Sequence, residues 1–284
     1  MVRETPTVNP IARALWFVES HFAQEITLDE VAAVAGVSRY HLSRTFGLAT
    51  GRGLMAYVRG RRLSEAAKAL AAGAPDILAV ALDWGYGSHE AFTRAFRDQF
   101  DLTPDAVRAR GHVTDLSLTE ALLMDDSMLT PIDPPRIVNQ QPLLIAGLNA
   151  RYGQTASAQM PAQWQRFTPH LGHVPGQVGE TAYGVVYNSD DTGHADYLTG
   201  VEVKDFSELP ADWTRLRIPA QRYAVFTHRD HISSIRRTWF SIWNKGLPEA
   251  GLEATGGPEF ERYDERFNGE TGAGEVEIWI PVKA

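Results

Sequence analysis

SRYHLSRTF (residues 38–46) and SHEAFTRAF (residues 88–96) are near copies of one amphipathic helix, placed 50 residues apart in the chain. Each copy begins with a serine, a residue that caps helices well. Each also carries two apolar residues four positions apart, which would face inward, with an arginine between them. The duplication predicts two similar helical motifs in the N-terminal part of the chain.

A short helix precedes each copy, and a turn containing glycine separates the two elements. Ahead of the first copy, residues 27–30 (TLDE) form a capping box and the helix stops at Gly36. Ahead of the second copy, Asp76 is the cap and the turn comprises residues 85–87. A helix, a tight turn and a second helix are the outline of a helix-turn-helix, so the sequence predicts two of these motifs.

Three further helices complete the predicted N-terminal region. The first runs from about residue 10 to 23 and starts at Asn9 and Pro10, which suit a cap and a first helical position. A long linker helix runs from about 54 to 72, and a last short helix starts near residue 103. The predicted fold class of this region is all-α, with the linker helix joining the two helix-turn-helix motifs.

The polar side chains of the two copies are predicted to point outward and to contact DNA bases. They are Arg39, Tyr40, Ser43 and Arg44 in the first copy, and His89, Glu90, Thr93 and Arg94 in the second. Arginine can donate two hydrogen bonds to guanine, and two such helices on one rigid linker can enter successive major-groove segments. Four more arginines are predicted to contact phosphate: Arg52, Arg59, Arg61 and Arg62.

The charge of the chain is unevenly divided. The formal net charge is −8, which on its own argues against nucleic-acid binding. Residues 1–112, however, hold 13 Lys and Arg against 12 Asp and Glu, whereas the rest of the chain holds 14 against 23. The alternative to DNA binding is a pair of helical hairpins with solvated arginines. The repetition of arginine in the same helical phase favours DNA binding.

Several kinds of chemistry are excluded or unsupported by the sequence. The chain has no cysteine, so it has no disulfide and no thiolate metal site. It has no P-loop, dinucleotide fingerprint, nucleophile elbow or zinc-type HExxH run, and HRDH at residues 228–231 is more typical of a turn. We therefore assign no catalytic residue, metal ligand or cofactor. The lack of a signal sequence or a long apolar run predicts a soluble, cytoplasmic protein without a membrane partner.

The pattern of the sequence changes after residue 135. Two helical stretches, near residues 161–171 and 232–243, interrupt seven runs that alternate or are rich in β-forming residues. This half is predicted to be α+β, with two β-α-β-β units. The predicted domains are a DNA-binding domain at 8–112, a linker at 113–134 and a small-molecule-binding domain at 135–284. The seven predicted strands are residues 143–152, 182–188, 197–203, 214–219, 222–228, 260–267 and 275–282.

Aromatic residues and carboxylates in the second half predict a pocket for a cation. In residues 275–282 (EVEIWIPV), alternation places Val276, Ile278 and Ile280 on a face suited to helices, and Glu277 and Trp279 on the opposite, ligand-facing side. An aromatic box with a carboxylate binds a cation through charge and ring quadrupole. Glu202 and Glu259 are rivals to Glu277, and ordinary packing is the alternative for each aromatic residue. The aromatic candidates from other elements are Trp164, Tyr187, Tyr197, Tyr223, Trp239, Trp243 and Tyr263.

The N-terminal region resembles the AraC/XylS family of transcription regulators. The resemblance covers residues 8 to about 110 and rests on ITLDEVAAVAGVSRYHLSRTFGLATG, YVRGRRL and ILAVALDWGYGSHEAFTRAFRDQFDLTPDAVR. Two spaced motifs must both match, so the set is specific. The resemblance implies a seven-helix DNA-binding unit with two reading helices.

From about residue 135 the chain resembles the GyrI-like effector-binding domain found in drug-sensing regulators. The resemblance rests on AYGVVYN, DYLTGVEV, IPAQRYAVFTH, WNKGLPEAGLE, PEFERYDERF and EVEIWIPV, in that order. It implies two β-α-β-β halves, a ligand groove between them, and an acidic residue that meets cationic aromatic compounds.

Together these features predict a transcription regulator that binds double-stranded DNA sequence-specifically and senses a small, cationic or aromatic effector. RNA polymerase is left open as a further partner. The leading hypothesis includes no enzyme activity. Two alternatives remain: a small-molecule hydrolase that uses a pocket glutamate as base beside a tyrosine, or a protein that sequesters toxic compounds.

Overall fold

The structure is a computed structural model that describes residues 10–122, 129–153, 159–190 and 194–283. The predicted cap Asn9 lies outside these residues. The chain divides into two compact units. The first comprises the chain up to Leu42 and from Gly53 to residue 124, and the second comprises Ser43–Arg52 and the chain from residue 125 onward. Among the residues that the structure describes, every helix is too short or too polar to span a lipid bilayer.

Within residues 10–122, seven helices are present, as predicted. Thr27 and Glu30 form the predicted capping box, and Asp76, Ser88 and Thr103 each accept a hydrogen bond from a helix N-terminal amide. The helices are α1 (Pro10–His21), α2 (Leu28–Ala35), α3 (Arg39–Thr50), α4 (Leu54–Ala71), α5 (Ile77–Asp83), α6 (His89–Phe100) and α7 (Pro104–Arg110).

The linker helix α4 lies at the centre of the first unit. Its residues Leu63 and Leu70 are buried in one apolar cluster with Val80 of α5 and Phe92 and Phe96 of α6. The segment after α7 also packs on α4. The amide of Thr119 donates to the Ser64 hydroxyl at 2.8 Å, so residues up to at least 119 of the predicted linker pack within the first unit.

The second half is α+β. Six of the seven predicted strands are present near their predicted bounds, whereas the predicted strand at 260–267 ends at Tyr263 and Phe267 belongs to a separate two-stranded sheet. The sequence did not predict the short strands at residues 136–140 and 273–274. The strands are β1 (Arg136–Gln140), β2 (Leu143–Tyr152), β3 (Gln177–Tyr187), β4 (Ala195–Val203), β5 (Thr214–Ile218), β6 (Gln221–His228), β7 (Glu259–Tyr263), β8 (Phe267–Asn268), β9 (Ala273–Gly274) and β10 (Val276–Pro281). The helices between them are α8 (Met160–Phe167), α9 (Ile235–Ser241), a π-helical turn at Ile242–Gly246, and α10 (Leu247–Glu249).

Of the strands that the structure describes, eight form one antiparallel sheet in the order β1-β6-β10-β7-β3-β4-β2-β5. The order reads as two equivalent halves that meet where β7 pairs with β3. One half is β2-α8-β3-β4 with β5 at its edge, and the other is β6-α9-β7-β10 with β1 at its edge. The predicted pair of β-α-β-β units is therefore confirmed, and the junction of the two halves is at the centre of the sheet.

Candidate DNA-reading helices and effector site

Helix α6 presents a polar stripe opposite a buried aromatic stripe. Phe92, Phe96 and Phe100 are buried, with neighbouring rings 4.8–5.4 Å apart. His89, Glu90 and Arg94 are exposed, as predicted. Arg97 is exposed as well and lies one helical step, three residues, beyond Arg94. Arg97 was not among the predicted DNA-contacting residues, although its spacing from Arg94 indicates the same exposed face.

Glu90 has a local role at the start of α6. The Glu90 carboxylate accepts hydrogen bonds from the backbone amide of Glu90 and from the Ser88 hydroxyl. These hydrogen bonds lower the pKa of Glu90. The negative charge lies in the first turn, where the helix dipole favours it. Glu90 is thus held at the helix start while its side chain remains exposed.

Helix α3 has a different environment from α6. Arg39 is exposed and pairs with Asp29 at 3.3 Å, and Tyr40 is half-buried. Arg44, which matches the exposed Arg94, is only 17% exposed in its side chain and is bound to Glu259. The outward direction predicted for Arg44 is therefore wrong in this structure.

Two hydroxyls predicted to point outward are enclosed instead. Ser43 and Thr93 occupy matching positions in α3 and α6, and both are half-buried. Their oxygens are buried and have no hydrogen-bond partner within the described chain. The prediction that these hydroxyls face a DNA base is not what the structure shows, because each lies on the flank of its helix, beside the buried apolar positions.

The four arginines predicted to contact phosphate separate into two pairs. Arg52 and Arg59 are exposed. Arg61 is buried and donates to Glu19, Glu65 and the Thr119 carbonyl, at 2.9–3.2 Å. The prediction for Arg61 is therefore wrong, since it follows Tyr57 by one helical turn on the inner face of α4.

Arg62 is also a structural residue. It is half-buried, and its guanidinium donates to the carbonyls of Phe22 and Gln24. Burial lowers the pKa of Arg62 from its ordinary value. The prediction that Arg62 contacts phosphate is therefore wrong in this structure.

The predicted aromatic box does not form as a single site, because strand alternation places its members on opposite faces of the sheet. On β7, Glu259, Glu261 and Tyr263 point to one face, and Phe260 and Arg262 point to the other. The face of Glu261 carries Tyr197, Trp164 of α8 and Trp239 of α9. The opposite face carries Tyr187, Tyr223, Trp279, Glu202 and Glu277. Trp243 is fully buried in the π-helical turn.

Glu261 is the centre of a compact group of aromatic residues, which we call the Glu261 cluster: Glu261, Tyr197, Tyr263, Trp164 and Trp239. Its Oε1 accepts the indole N–H of Trp239 at 2.8 Å. Its Oε2 accepts the hydroxyls of Tyr263 at 2.8 Å and Tyr197 at 3.1 Å. Trp164 in turn donates to the Tyr197 hydroxyl at 3.0 Å. One carboxylate thus orients aromatic groups from both halves of the sheet.

Burial sets the electrostatics of the Glu261 cluster. Glu261 is 7% exposed, and burial raises its pKa although Trp239, Tyr263 and Tyr197 all donate to it. Burial also raises the pKa values of Tyr197 and Tyr263 well above their ordinary range. A carboxylate in this position is stabilised by a bound cation, because its hydration has been removed.

Glu261 was not among the predicted site residues, although its neighbours on the same strand face, Glu259 and Tyr263, were. The signal was present in residues 259–263 (EFERY), where alternation places Glu259, Glu261 and Tyr263 together. Glu261 accepts hydrogen bonds from three aromatic side chains, more than Glu259 or Glu277 accepts among the contacts described here.

Glu259 lies next to this cluster on the same strand face and binds a cationic side chain. Its side chain is 0% exposed. The Nε and Nη2 atoms of Arg44 donate to its Oε2 at 3.2 and 2.7 Å. The guanidinium carbon of Arg44 lies 5.6 Å from the centroid of the Trp239 ring. The carboxylate and the indole together form a site for a planar cation.

Glu277, the leading carboxylate of the sequence analysis, is already neutralised. Its oxygens accept from Arg136 at 2.6 Å, Arg266 at 3.0 Å and Arg262 at 3.2 Å. Burial alone would raise its pKa, but Arg136 and Arg266 hold the pKa of Glu277 below its ordinary value. Three guanidinium groups offset the charge of Glu277, so it offers less to a cation than a carboxylate without such partners would, and Glu277 as the ligand carboxylate stays a prediction.

A separate, open cavity of about 420 Å³ lies on the face of Glu277. Glu202 and Tyr183 line it, together with Arg136, Arg262 and Trp279. Burial raises the pKa of Glu202 and raises that of Tyr183 to about 12. Tyr187 and Tyr223 are also on this face, where their hydroxyls bond to Asn149 at 3.1 Å and to the Pro258 carbonyl at 3.1 Å. Those two tyrosines pack in the apolar core of this face.

Within the described residues, no group of three or more His, Asp or Glu side chains is placed to hold a metal ion. In the HRDH run, His228 ends β6 and His231 lies in the turn that follows, and the Nδ1 atom of His228 lies 2.7 Å from the Thr238 hydroxyl.

Two family models match the chain. One, described as a GyrI-like small molecule binding domain, matches residues 133–283, and the other, described as a helix-turn-helix domain, matches residues 31–110. Three curated proteins illustrate the similarity. Right origin-binding protein of Escherichia coli (strain K12) is 28% identical over 284 residues, which cover 95% of this chain and 96% of that protein.

The other two relatives match parts of the chain. Transcriptional regulator BrlR of Pseudomonas aeruginosa is 32% identical over 149 residues, which cover 52% of this chain and 54% of that protein. Regulatory protein SoxS of Escherichia coli (strain K12) is 39% identical over 94 residues, which cover 33% of this chain and 88% of that protein.

Proposed function

We propose, from the premise that this chain belongs to the GyrI-like small-molecule-binding family, that the Glu261 cluster binds a cationic, aromatic effector. The chain also carries an AraC-type helix-turn-helix region and is a DNA-binding transcription regulator. The effector therefore acts on a protein that binds DNA. The side chains of the Glu261 cluster suggest the chemical class of the effector, a cation with aromatic groups.

The observation that supports this proposal is a buried carboxylate surrounded by aromatic side chains. Glu261 accepts hydrogen bonds from one indole and two phenols, and Trp164 extends the aromatic wall with its ring 4.9 Å from that of Tyr263. A cation between these rings gains ring-quadrupole attraction, of about 0.5–2 kcal/mol for each ring, in addition to the carboxylate charge. An anion of the same shape has no such gain.

A pair of ions of one shape tests this proposal by titration calorimetry on the full chain. Tetraphenylphosphonium and tetraphenylborate have nearly the same size and opposite charge. We expect the cation to bind and the anion not to bind. Glu261→Gln should weaken binding of the cation, whereas Glu202→Gln, the same charge change on the other sheet face, should leave it unaltered. Equal binding of both ions, or no effect of Glu261→Gln, would overturn the proposal.

The proposed DNA-reading residues follow from exposure and position on α3 and α6. We assign base contacts to Arg39, His89 and Arg94, and phosphate contacts to Arg52 and Arg59. Tyr40 and Glu90 lie at the margins of the same surfaces, and Arg97 extends the α6 stripe. Arg44 joins the readers only when its bond to Glu259 is broken. Binding of the chain to duplexes selected from a random pool, compared with bulk DNA at physiological salt, tests this assignment.

The domain boundaries belong to the same proposal: the second stays at about residue 135, and the first moves from about residue 112 to beyond residue 119, because Thr119 packs on α4. RNA polymerase is also part of the proposal, as a partner, since binding to polymerase is one way in which a DNA-bound regulator alters transcription. Co-sedimentation of the full chain with RNA polymerase at physiological salt, without promoter DNA, tests that part. Absence of a complex would limit the proposed partners to DNA and the effector.

Hydrolysis of a reactive small molecule is a second candidate function. The observation that favours it is the raised pKa of Glu261, a buried carboxyl that two tyrosine hydroxyls contact, because a carboxyl with a raised pKa is a stronger base once it is ionised. The relatives described above include transcription regulators, and none of their names refers to an enzyme. Turnover of a bound electrophile that is lost in Glu261→Gln would support hydrolysis, and unchanged turnover in that variant would exclude Glu261 as the base.

A further inference from the structure

The guanidinium of Arg44 is largely buried, which does not suit a residue that contacts DNA bases. Arg44 and Arg94 occupy the same place in the two copies of the repeated helix, between the two buried apolar residues. Arg94 is exposed, whereas the side chain of Arg44 is only 17% exposed. The difference arises from residues that lie far away in the sequence, and not from the helices themselves.

The environment of Arg44 is built from two parts. Glu259 supplies a carboxylate that is 0% exposed and accepts two hydrogen bonds from Arg44 at one oxygen, at 3.2 and 2.7 Å. Trp239 supplies an aromatic face 5.6 Å from the guanidinium carbon. A buried carboxylate without a cation would be costly, so the pairing with Arg44 stabilises Glu259.

A second contact holds the same segment of α3. Arg236 of α9 donates its Nε to the backbone carbonyl of Leu48 at 3.1 Å. Arg236 and Trp239 belong to the same helix, one turn apart, so α9 contributes to both contacts. Arg44, Leu48, Glu259 and α9 all belong to the second compact unit. The contact is therefore part of the internal packing of that unit.

The site that holds Arg44 overlaps the proposed effector site. Trp239 stacks on Arg44 and also donates its indole N–H to Glu261 at 2.8 Å. A cation that stacks on Trp239 beside Glu261 would meet the guanidinium of Arg44 and be repelled by it. The effector and Arg44 therefore each lower the affinity of this site for the other.

We propose that Arg44 is an internal ligand of the Glu259–Trp239 site, and that DNA and an effector cation both compete with this contact. DNA competes for the guanidinium of Arg44, because one guanidinium cannot bind Glu259 and a base at once. The effector competes for Trp239 and the neighbouring carboxylates. Binding of the effector therefore releases Arg44 and tightens selective DNA binding. This inference rests on the proposed function for the identity of the effector site, but the contact of Arg44 does not.

Planar cations should release Arg44 best, since they reproduce its geometry. An amidinium or guanidinium group on an aromatic body can form two hydrogen bonds to Glu259 and stack on Trp239, as Arg44 does. A tetrahedral ammonium can do only part of this. Linkage requires that the effect be reciprocal, so that selected DNA strengthens binding of such a cation by the same factor by which the cation strengthens binding of DNA.

Chemical modification of arginines tests the contact without any DNA or effector. The full chain is treated with phenylglyoxal, and the rate at each arginine is followed by peptide mass spectrometry. We expect Arg44 to react at least tenfold more slowly than Arg94 in the unaltered chain. Adding benzamidinium should accelerate Arg44 and leave Arg94 unchanged. Equal rates at Arg44 and Arg94 in the unaltered chain would overturn the inference, and this comparison does not depend on whether any variant folds.

A matched pair of variants then links the contact to DNA. Glu259→Gln keeps the shape of the side chain and removes its charge, and Glu202→Gln makes the same charge change on the opposite sheet face. We expect Glu259→Gln to raise the reactivity of Arg44 and to bind the selected duplex severalfold more tightly, and Glu202→Gln to do neither. Equal changes in both variants would mean that net charge alone acts, and would overturn the inference.

The two proposals fail in different ways. Binding of tetraphenylphosphonium that depends on Glu261, with Arg44 as reactive as Arg94, would leave the effector site intact and remove the role of Arg44. Protection of Arg44 that depends on Glu259, without binding of tetraphenylphosphonium, would support the internal contact and remove the effector site at Glu261.

Discussion

Gly184 lies directly opposite Glu261 in the register of β3 and β7, where the two halves of the sheet meet. A Cβ atom at Gly184 would lie 2.9 Å from Oε2 of Glu261 and closer still to the hydroxyl of Tyr197. The glycine is therefore needed for the close approach of the carboxylate and the phenol. It is a requirement of the Glu261 cluster and not of a turn.

Gly184→Ala should separate Tyr197 from Glu261. We expect destabilisation of roughly 1–3 kcal/mol from overpacking, together with weaker binding of tetraphenylphosphonium. Denaturant unfolding measures the first effect and calorimetry the second. Gly269→Ala is the matched control, because a Cβ there meets nothing within 4 Å. Unchanged stability and binding in Gly184→Ala would contradict the predicted role of this close approach.

Binding of a cation at the Glu261 cluster should strengthen as the pH rises. Burial raises the pKa of Glu261 above its ordinary value of 4.5. The carboxyl is therefore neutral at pH values below the raised pKa and charged at pH values above it. The groups that face it are Tyr197 and Tyr263, whose raised pKa values keep them protonated, and Arg44, which stays charged. Calorimetry with tetraphenylphosphonium at pH values on both sides of the raised pKa should show an affinity that increases with pH. Glu261→Gln should remove this pH dependence.

The same shift predicts the sign of a stability change. Because the folded chain holds the Glu261 proton more tightly than the unfolded chain, this residue contributes stability that is fully present below pH 4.5. That contribution is lost as the pH rises through the raised pKa. The slope of unfolding free energy against pH should be less negative over this window in Glu261→Gln than in the unaltered chain. An identical slope would contradict the shift.

Glu277 should matter for stability and not for binding of a cation. Glu277→Gln leaves Arg136, Arg262 and Arg266 without their shared carboxylate, and we expect a loss of about 1–3 kcal/mol, since charged hydrogen bonds of a buried group are broken. Glu275→Gln, which loses only partly exposed contacts to Arg229 and Arg266, should lose less than about 1 kcal/mol. Loss of tetraphenylphosphonium binding in Glu277→Gln alone would instead place the effector on that sheet face.

The sequence was sufficient to predict the fold because local signals and the global pattern agree. Caps at Thr27, Asp76 and Ser88 start the predicted helices, and alternation in residues 275–282 places Ile278 and Glu277 on opposite faces. The edge strand β1 escaped prediction because its residues RIVNQ are mostly exposed and carry no clear alternation.

The site was harder to predict, because its members meet through tertiary contacts. Arg44 and Glu259 are 215 residues apart, and no local pattern indicates that they pair. The division of the aromatic candidates between two faces depends on strand register, which sequence alternation gives only within one strand. Arg61 is a different case. Its position one turn after Tyr57 indicated an inward direction, but its charge suggested DNA.

Arg59 and Arg61 on α4 should separate a DNA contact from a structural contact. Arg59→Ala should reduce the slope of log affinity against log salt by about 1 and leave stability within roughly 0.5 kcal/mol. Arg61→Ala should destabilise the chain by about 2–3 kcal/mol, because Glu19 and Glu65 lose their shared partner although they stay partly exposed. Salt titrations of DNA binding and denaturant unfolding measure both. A change of salt slope in folded Arg61→Ala would contradict its structural role.

Arg94 should read a base, and its loss should therefore affect selected DNA more than bulk DNA. The residue is exposed at the centre of the α6 stripe, with Phe92 and Phe96 fixing the helix behind it. We expect Arg94→Ala to weaken binding of the selected duplex by about 1–3 kcal/mol while the preference at one base position relaxes. Arg217→Ala, which removes an exposed arginine from β5, is the control of equal charge. Fluorescence anisotropy with the selected duplex and its single-base variants measures both effects. Uniform weakening across all duplexes, with a salt slope reduced by about 1, would instead identify Arg94 as a phosphate contact.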